Sequence, residues 1–499
     1  MLACLWLSKL TKLSGTSPAL PPGPRTLPIV GYLPFLRPDL HMQLTSMGNT
    51  YGPIFKFYIG SKLQVVINTP ELIKEVVRHQ DEIFANRNVT VAASVFSSGG
   101  QDLVFSKYDS NWRKLRKIFV DGILSNKNLE ACGYFRKDEV RKTIKNVFSK
   151  VGTAVNISEI SFLTSTNVVK RMIWENSTDE GAKYNHLGTE LQMVSTKIVE
   201  IMGQPNLSDF FPCLSWFDIQ GVARNMKMQL EKLDRIFTSI IDDRVKSNIS
   251  KLSENGIGQE ITRKDFLQIL LELKDKKSLT ITEIKSLLLE IMIGATESTT
   301  TLIEWTMAEI LQNPKVKKRI LEELEDIVGI NNIVEESHLG KLEYLDATIK
   351  ETFRLHPVTP YLIPREPSQD CIVGGFKVPK GSVIFLNVWS VQRDPRYWDN
   401  PLDFYPERFL SDTKVDKFDY NGHNTKFMPF GSGRRVCAGL RLAEKIQMFI
   451  LASLLHSFDW CLPEGEEHDL SEKFGITLSK KKALVAIPSQ RLPDVSLYL

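Results

Sequence analysis

The stretch FMPFGSGRRVCAGLRLAEK, residues 427–445, holds one cysteine, Cys437, behind two arginines and ahead of an apolar segment. A cysteine in this setting could be an inert core residue, half of a disulfide, a nucleophile or a metal ligand. Its position just before a helix start favours a thiolate, because the helix dipole is positive there. Arg434 and Arg435 add positive charge, and Gly431, Gly433 and Gly439 allow the backbone to approach a flat object closely. The glycines do not form a phosphate loop: Val436 stands where a dinucleotide fingerprint needs its third glycine, and no Walker lysine follows. No second ligand residue lies nearby, so a metal bound here must bring its remaining ligands with it. A haem does that, with the thiolate as sole axial ligand from the protein.

The composition narrows the alternatives. The chain has 499 residues, 42% of them apolar and 24% charged, and a formal net charge of +4. That charge is too small to imply nucleic acid. The six cysteines, at 4, 132, 213, 371, 437 and 461, are too sparse for a disulfide scaffold and form no CxxC pair, which argues against a cysteine-rich zinc site and for a reducing, cytosol-facing compartment.

The run Phe430, Gly433, Arg435, Cys437, Gly439 resembles the haem-binding signature of the cytochrome P-450 superfamily at every fixed position. The resemblance extends over about residues 21–490. It implies a mainly α fold with a small β portion in a single haem-thiolate domain, haem b on Cys437, and a monooxygenase reaction. ETFR supplies Glu351 and Arg354 on one helix face, and FYPERF supplies Arg408; in the family these three form a buried charge network. NWRKLRK places Trp112 and Arg116 one turn apart. With Arg365 and Arg435 they resemble the contacts to the haem propionates, for which the arginine fork is suited.

The oxygen-activating helix departs from the family pattern. Its usual A-G-x-D/E-T-T is here Gly294, Ala295, Thr296, Glu297, Ser298, Thr299. Glu297 takes the place of the acid that connects to solvent, and Ser298 that of the alcohol that relays protons. Serine lacks the methyl group that restrains threonine, and it can turn to bond the carbonyl four residues earlier. Thr299 is a substitute donor lying 100° further round the helix.

Local signals place the elements that must carry these residues. Residues 52–68 read as a hairpin around Gly60-Ser61. A helix starts at Pro70 with Thr69 as its cap. A helix of over 30 residues runs from 280 to 312, opened by a capping box of Thr280 and Glu283 and ended by Asn313-Pro314. Another ends before Pro357, residues 358–390 read as short strands, and the last long helix spans 440–457. Seven prolines between 18 and 38 exclude a helix and read as a stiff hinge over 21–40. Residues 1–20 read as a short or truncated membrane-associating segment, and 41–499 as the catalytic domain.

By resemblance, the apolar pocket draws on Val95, Phe96, Val104, Phe105, Phe210, Phe211, Met292, Ile293, Val358, Tyr361, Leu362, Ile476 and Leu478. Such a pocket suits a lipophilic substrate, with a plant terpenoid as first expectation and a flavonoid or alkaloid as second. Rearrangement or dehydration without oxygen insertion is the alternative reaction on the same fold. The expected partner is an NADPH-dependent reductase in the endoplasmic reticulum membrane. It would dock on Arg113, Lys114, Lys117, Arg434, Arg441 and Lys445.

Overall fold

The computed structural model describes residues 18–97, 100–174, 181–255, 265–276, 278–410 and 418–499. The elements that position the site are α1 (Leu40–Tyr51), β1 (Ile54–Ile59), β2 (Lys62–Ile67), β3 (Asn86–Arg87), α2 (Ser110–Lys117), α3 (Ile157–Ile173), α4 (Gly181–Gly203), α5 (Val222–Asn255), α6 (Ile281–Gln312), α7 (Glu343–Leu355), β4 (Arg365–Glu366), β5 (Val383–Leu386) and α8 (Leu440–Ser457).

The long helix α6 forms the axis of the fold. Its capping box is present, with the Thr280 hydroxyl accepting from the Glu283 amide and the Glu283 carboxylate accepting from the Thr280 amide. Asn313 closes it and Pro314 opens the next helix. Leu287, Leu288, Ile291, Met292, Ile303 and Trp305 are all buried, as expected of a helix that is apolar nearly all round. It packs along α3 and also meets α7 and α8.

The strands form a five-stranded sheet in the order β1-β2-β5-β4-β3. β1 and β2 pair antiparallel through the two-residue turn Gly60-Ser61, and β2 pairs parallel with β5. Side chains alternate between faces: Ile54, Val65 and Ile67 join one apolar cluster, and Phe55, Phe57 and Val66 join another with Leu44 and Tyr361. At the far edge β3 pairs with β4 so that Arg87 stands directly opposite Arg365.

One expectation needs correction. Thr69 precedes the helix at Pro70, but its side chain makes no capping bond; with Pro at the first position one orphan donor is already absent. The proline-rich segment is anchored to the sheet. Its backbone lies against β1: Lys56 donates to the Pro22 carbonyl, Tyr32 donates to that of Tyr58, and Gly31 bridges to Ile59. A Cβ on Gly23 would sit 1.8 Å from the Lys56 carbonyl oxygen, so only glycine permits this approach. Residues 1–17 lie outside the described residues, and among those described no helix is long and apolar enough to cross a membrane.

Candidate active site

Cys437 sits between a 3-10 turn, Gly433–Arg435, and the start of α8. Its amide donates to the Phe430 carbonyl at 2.9 Å. Phe430 packs edge-on against Phe353 of α7, with ring centroids 5.2 Å apart, which fixes the loop to the core. Gly433 has φ +72°, and a Cβ there would lie 2.6 Å from both Asp81 Oδ1 and the Val77 carbonyl, so the turn itself requires glycine.

The sulfur accepts from the backbone amides of Gly439 and Leu440, and the Arg116 guanidinium acts on it. Burial pushes the Cys437 thiol above the ordinary value, against the pull of those amides and Arg116. Among the described residues no group of three or more His, Cys, Asp or Glu could hold a bare metal ion.

A cluster of arginines accompanies the cysteine. Trp112, in α2 behind the Asp109 cap, donates to the Leu103 carbonyl at 2.9 Å. Arg435 lies over the Trp112 ring at 4.3 Å and donates to the same carbonyl, to Ala85 at 2.5 Å and to Ser106. Arg116, one turn along α2, donates to the Val436 carbonyl at 2.6 Å. Arg365 bonds Asp81 at 3.2 Å and the Ser432 carbonyl at 2.7 Å.

The fourth arginine, Arg87, is absent from the sequence expectation. It is buried, donates to the Ile363 carbonyl, and leaves its Nε without a partner among the described residues. Burial and the neighbouring Arg365, Arg435 and Arg116 pull it well below its ordinary value. Like charges opposed across strands are destabilising.

The nearby acids do not balance these cations. Asp81 faces Arg365, and Asp102 faces Arg435. Glu290 of α6 accepts from the Leu103 and Val104 amides at 2.6 and 3.1 Å. Burial and Asp102 push it well above its ordinary value, and its bonds to the two amides hold the 102–106 loop. Asp81 is shared by Arg365 and Arg434 and Asp102 acts on Arg435, while Arg87 and Arg116 bond backbone carbonyls, so cations outnumber these two carboxylates. An excess of positive charge suits the propionates of haem b. The donor set, one thiol and a cationic cluster with an N–H unpartnered among the described residues, fits that group.

The family match follows. The family model described as Cytochrome P450 matches residues 21–487. The chain belongs to the cytochrome P450 family. It is 36% identical to cytochrome P450 76C1 of Arabidopsis thaliana over 99% of this chain and 97% of that one. It is 35% identical to the flavonoid 3',5'-hydroxylase of Campanula medium, over 96% of this chain and 92% of that one. It is also 35% identical to the flavonoid 3'-monooxygenase of Petunia hybrida, over 95% and 92%. A zebrafish cytochrome P450 solved with progesterone superposes at TM-score 0.72 with 25% identity, covering 91% of this chain and all of that one. As in the rest of the family, the cofactor is haem and the chemistry is monooxygenation.

Within this P450 the Glu351, Arg354 and Arg408 network is assembled. Arg354 grips Glu351 at 2.7 and 2.8 Å, and Arg408 bonds the same carboxylate at 3.0 Å. The remaining Arg354 hydrogens go to the carbonyls of Gln392, Pro401 and Asp403. A cleft of about 1010 Å³ runs outside this network, and Cys437 is not in its wall.

On α6, Ser298 donates its hydroxyl to the Gly294 carbonyl at 2.9 Å, the inward turn that its missing methyl permits. Thr299 is 2% exposed with its hydroxyl unpartnered among the described residues. Glu297 is half-buried, and burial and Glu304 raise it against the pull of Lys473.

The expected pocket residues divide. Tyr361 bonds the Leu40 carbonyl and packs with the sheet, and Phe210 joins the same cluster. Met292 and Ile293 line a space between α3, α4 and α6. Two of the expected docking cations are already paired. Lys114 bonds Glu283 at 2.5 Å, and Arg434 bonds Tyr108 and Asp81.

Proposed function

We propose that this P450 inserts one oxygen atom into a lipophilic plant specialised metabolite, with electrons from a separate NADPH-dependent reductase. The observation that carries the reading is Cys437 at the start of α8 beside a cluster of arginines, one of which, buried Arg87, has an Nε unpartnered among the described residues. When bound there, haem supplies the chemistry that splits dioxygen, sending one atom to the substrate and the other to water.

The chain's own residues do the rest. The Gly439 and Leu440 amides and Arg116 support the sulfur. Arg87, Arg116, Arg365 and Arg435, with Trp112, hold the propionates. Glu297 hands protons inward, and Ser298, with Thr299 beside it, receives them; the serine hydroxyl leaves Gly294 to do so. Glu290 fixes the 102–106 loop. Residues 1–20 associate with the endoplasmic reticulum membrane, 21–40 form the hinge, and 41–499 form the catalytic domain, facing the cytosol. Arg113, Lys117, Arg441 and Lys445, the expected docking cations without an ion pair among the described residues, offer the reductase its basic face.

A terpenoid is the first expected substrate. A flavonoid is a second reading, supported by the names of two relatives at 35% identity. The reduced carbon monoxide spectrum tests thiolate ligation, with Cys437→Ser expected to abolish the thiolate-specific band. Incorporation of labelled oxygen from dioxygen separates monooxygenation from rearrangement. Difference spectra against terpenes, flavones and alkaloids rank the substrate classes; a flavone as sole ligand would replace the terpenoid reading.

A further inference from the structure

A row of buried charges ties the start of the polypeptide to its C-terminal part. Glu309, near the end of α6, lies 2.7 Å from His356 Nε2, and Glu472 lies 2.7 Å from Nε2 of His41 in the first turn of α1. The two pairs meet at Glu472, whose other oxygen is 3.5 Å from Arg393 and 3.6 Å from His356 Nδ1. Glu309, His356 and His41 are all buried. Burial alone would raise the Glu472 carboxyl; His356, His41 and Arg393 hold it well below its ordinary value.

This network is not closed. His41 Nδ1, His356 Nδ1, Trp389 Nε1 and Arg393 Nη1 are buried atoms with no hydrogen-bond partner among the described residues. An apolar filling of the same volume would hold the fold as well or better, so stability does not account for it. What the network holds is a hairpin, in which Glu472–Lys473 pairs antiparallel with Ser479–Lys480. On its return strand side, the Leu478 amide donates to the Val358 carbonyl at 2.8 Å, and the Leu478 carbonyl accepts from Trp305 at 2.9 Å. Trp305 stacks flat on His356, with ring centroids 3.9 Å apart. At the outgoing side, Phe474 stacks on His41 at 5.6 Å and meets Tyr361 edge-on at 5.9 Å. Each imidazole therefore works twice. Its edge faces a carboxylate, and its face supports the aromatic ring that holds one side of the 474–478 turn. Ile476, between these supports, reaches the end of α4 at Gly203.

We propose that His41, His356 and Glu472 form a clasp that sets the position of the 474–478 turn, and through it the shape of the lipophilic pocket. The inference rests on the pocket expected from sequence, to which Val358, Ile476 and Leu478 belong. Directional polar contacts suit the task, because they select one arrangement where apolar packing tolerates several. All three are positioning residues, acting through the turn.

The test uses the haem-loaded protein and two probes that ligate the iron: imidazole, which fills little of the pocket, and 4-phenylimidazole, whose second ring extends into it. His41→Phe keeps the stacking ring and removes the hydrogen-bond donor; His41→Gln restores a donor. In His41→Phe the Kd of 4-phenylimidazole should rise about fivefold, because a wall that was ordered in advance must now be ordered on binding. The Kd of imidazole should stay unchanged. Amide exchange over residues 473–479 should quicken about tenfold. His41→Gln should return both readings towards wild type. Glu472→Gln should reproduce the His41→Phe pattern, and it carries the comparison if His41→Phe fails to load haem. A wild-type ratio of the two Kd values overturns the clasp, with or without faster exchange, and leaves the network a structural one. So does a shifted ratio with wild-type exchange, since the turn has then not moved. If Leu478→Ala weakens 4-phenylimidazole and His41→Phe does not, only the clasp fails; if Leu478→Ala changes nothing either, the turn has no place in the pocket.

Discussion

Two charged regions flank the core helices, and they are built on opposite principles. Around Glu351 every buried charge has a partner: the carboxylate takes two bonds from Arg354, one from Arg408 and one from the Tyr405 amide, and Arg354 spends its other hydrogens on carbonyls. Around Cys437 the arginines outnumber Asp81 and Asp102, and Arg87 keeps an N–H unpartnered among the described residues. The first region is complete within the polypeptide. The second carries an excess of positive charge. A balanced network marks a structural element, and an unbalanced one marks a site.

Substitutions test this contrast. Glu351→Ala strands two cations and should destabilise the fold by about 3–5 kcal/mol, measured by denaturant unfolding; a loss below about 1 kcal/mol would put the network on a par with a surface ion pair. Arg87→Met should behave otherwise. It relieves repulsion with Arg365, so thermal stability should hold within about 1 kcal/mol, while transfer of haem to a competing acceptor should quicken roughly tenfold for one lost charge-assisted contact. Equal destabilisation by both variants would erase the distinction.

Ser298→Thr is a finer probe of the site. The added methyl should restrain the side chain and cut the electrons lost as peroxide by about twofold. No change in peroxide yield would mean that the Gly294 bond persists during turnover.

The smallest effect concerns a reverse imbalance on α7 and α8. Burial and Asp346 raise Glu444 to about 7, against Lys350, Lys445 and Arg441. Its folded value lies above the unfolded one, so its contribution is full below about pH 4.5 and is lost as pH rises through about 7. Glu444→Gln should leave the melting temperature unchanged at pH 4.5 and raise it by about one degree at pH 8. An equal gain at both pH values would assign the effect to packing. His456, held down to about 4 by burial and Arg491, runs the other way: its stabilisation is full above about 6.5 and is lost as pH falls through about 4.

Much of this architecture is written in local sequence. The capping box of α6, the stop at Asn313-Pro314, the Gly60-Ser61 turn and the limits of α8 all follow from neighbours within a few positions. The cysteine, the Glu351 network and the Trp112 and Arg116 pair were legible through spacing and family resemblance. Arg87 was not, because its meaning arises from strand register: only the pairing of β3 with β4 sets it against Arg365. Glu290 was hidden for a related reason, since nothing near it announces the loop whose amides it holds. Tyr361 carried no mark of which face of the sheet it would join. For Ser298 the sequence allows both rotamers, and the folded chain adopts the bond to Gly294.

The facing pair Arg87 and Arg365 has a consequence for assembly. The edge pairing of β3 with β4 closes against repulsion, so a ligand that cancels the charge is thermodynamically linked to closure of that edge.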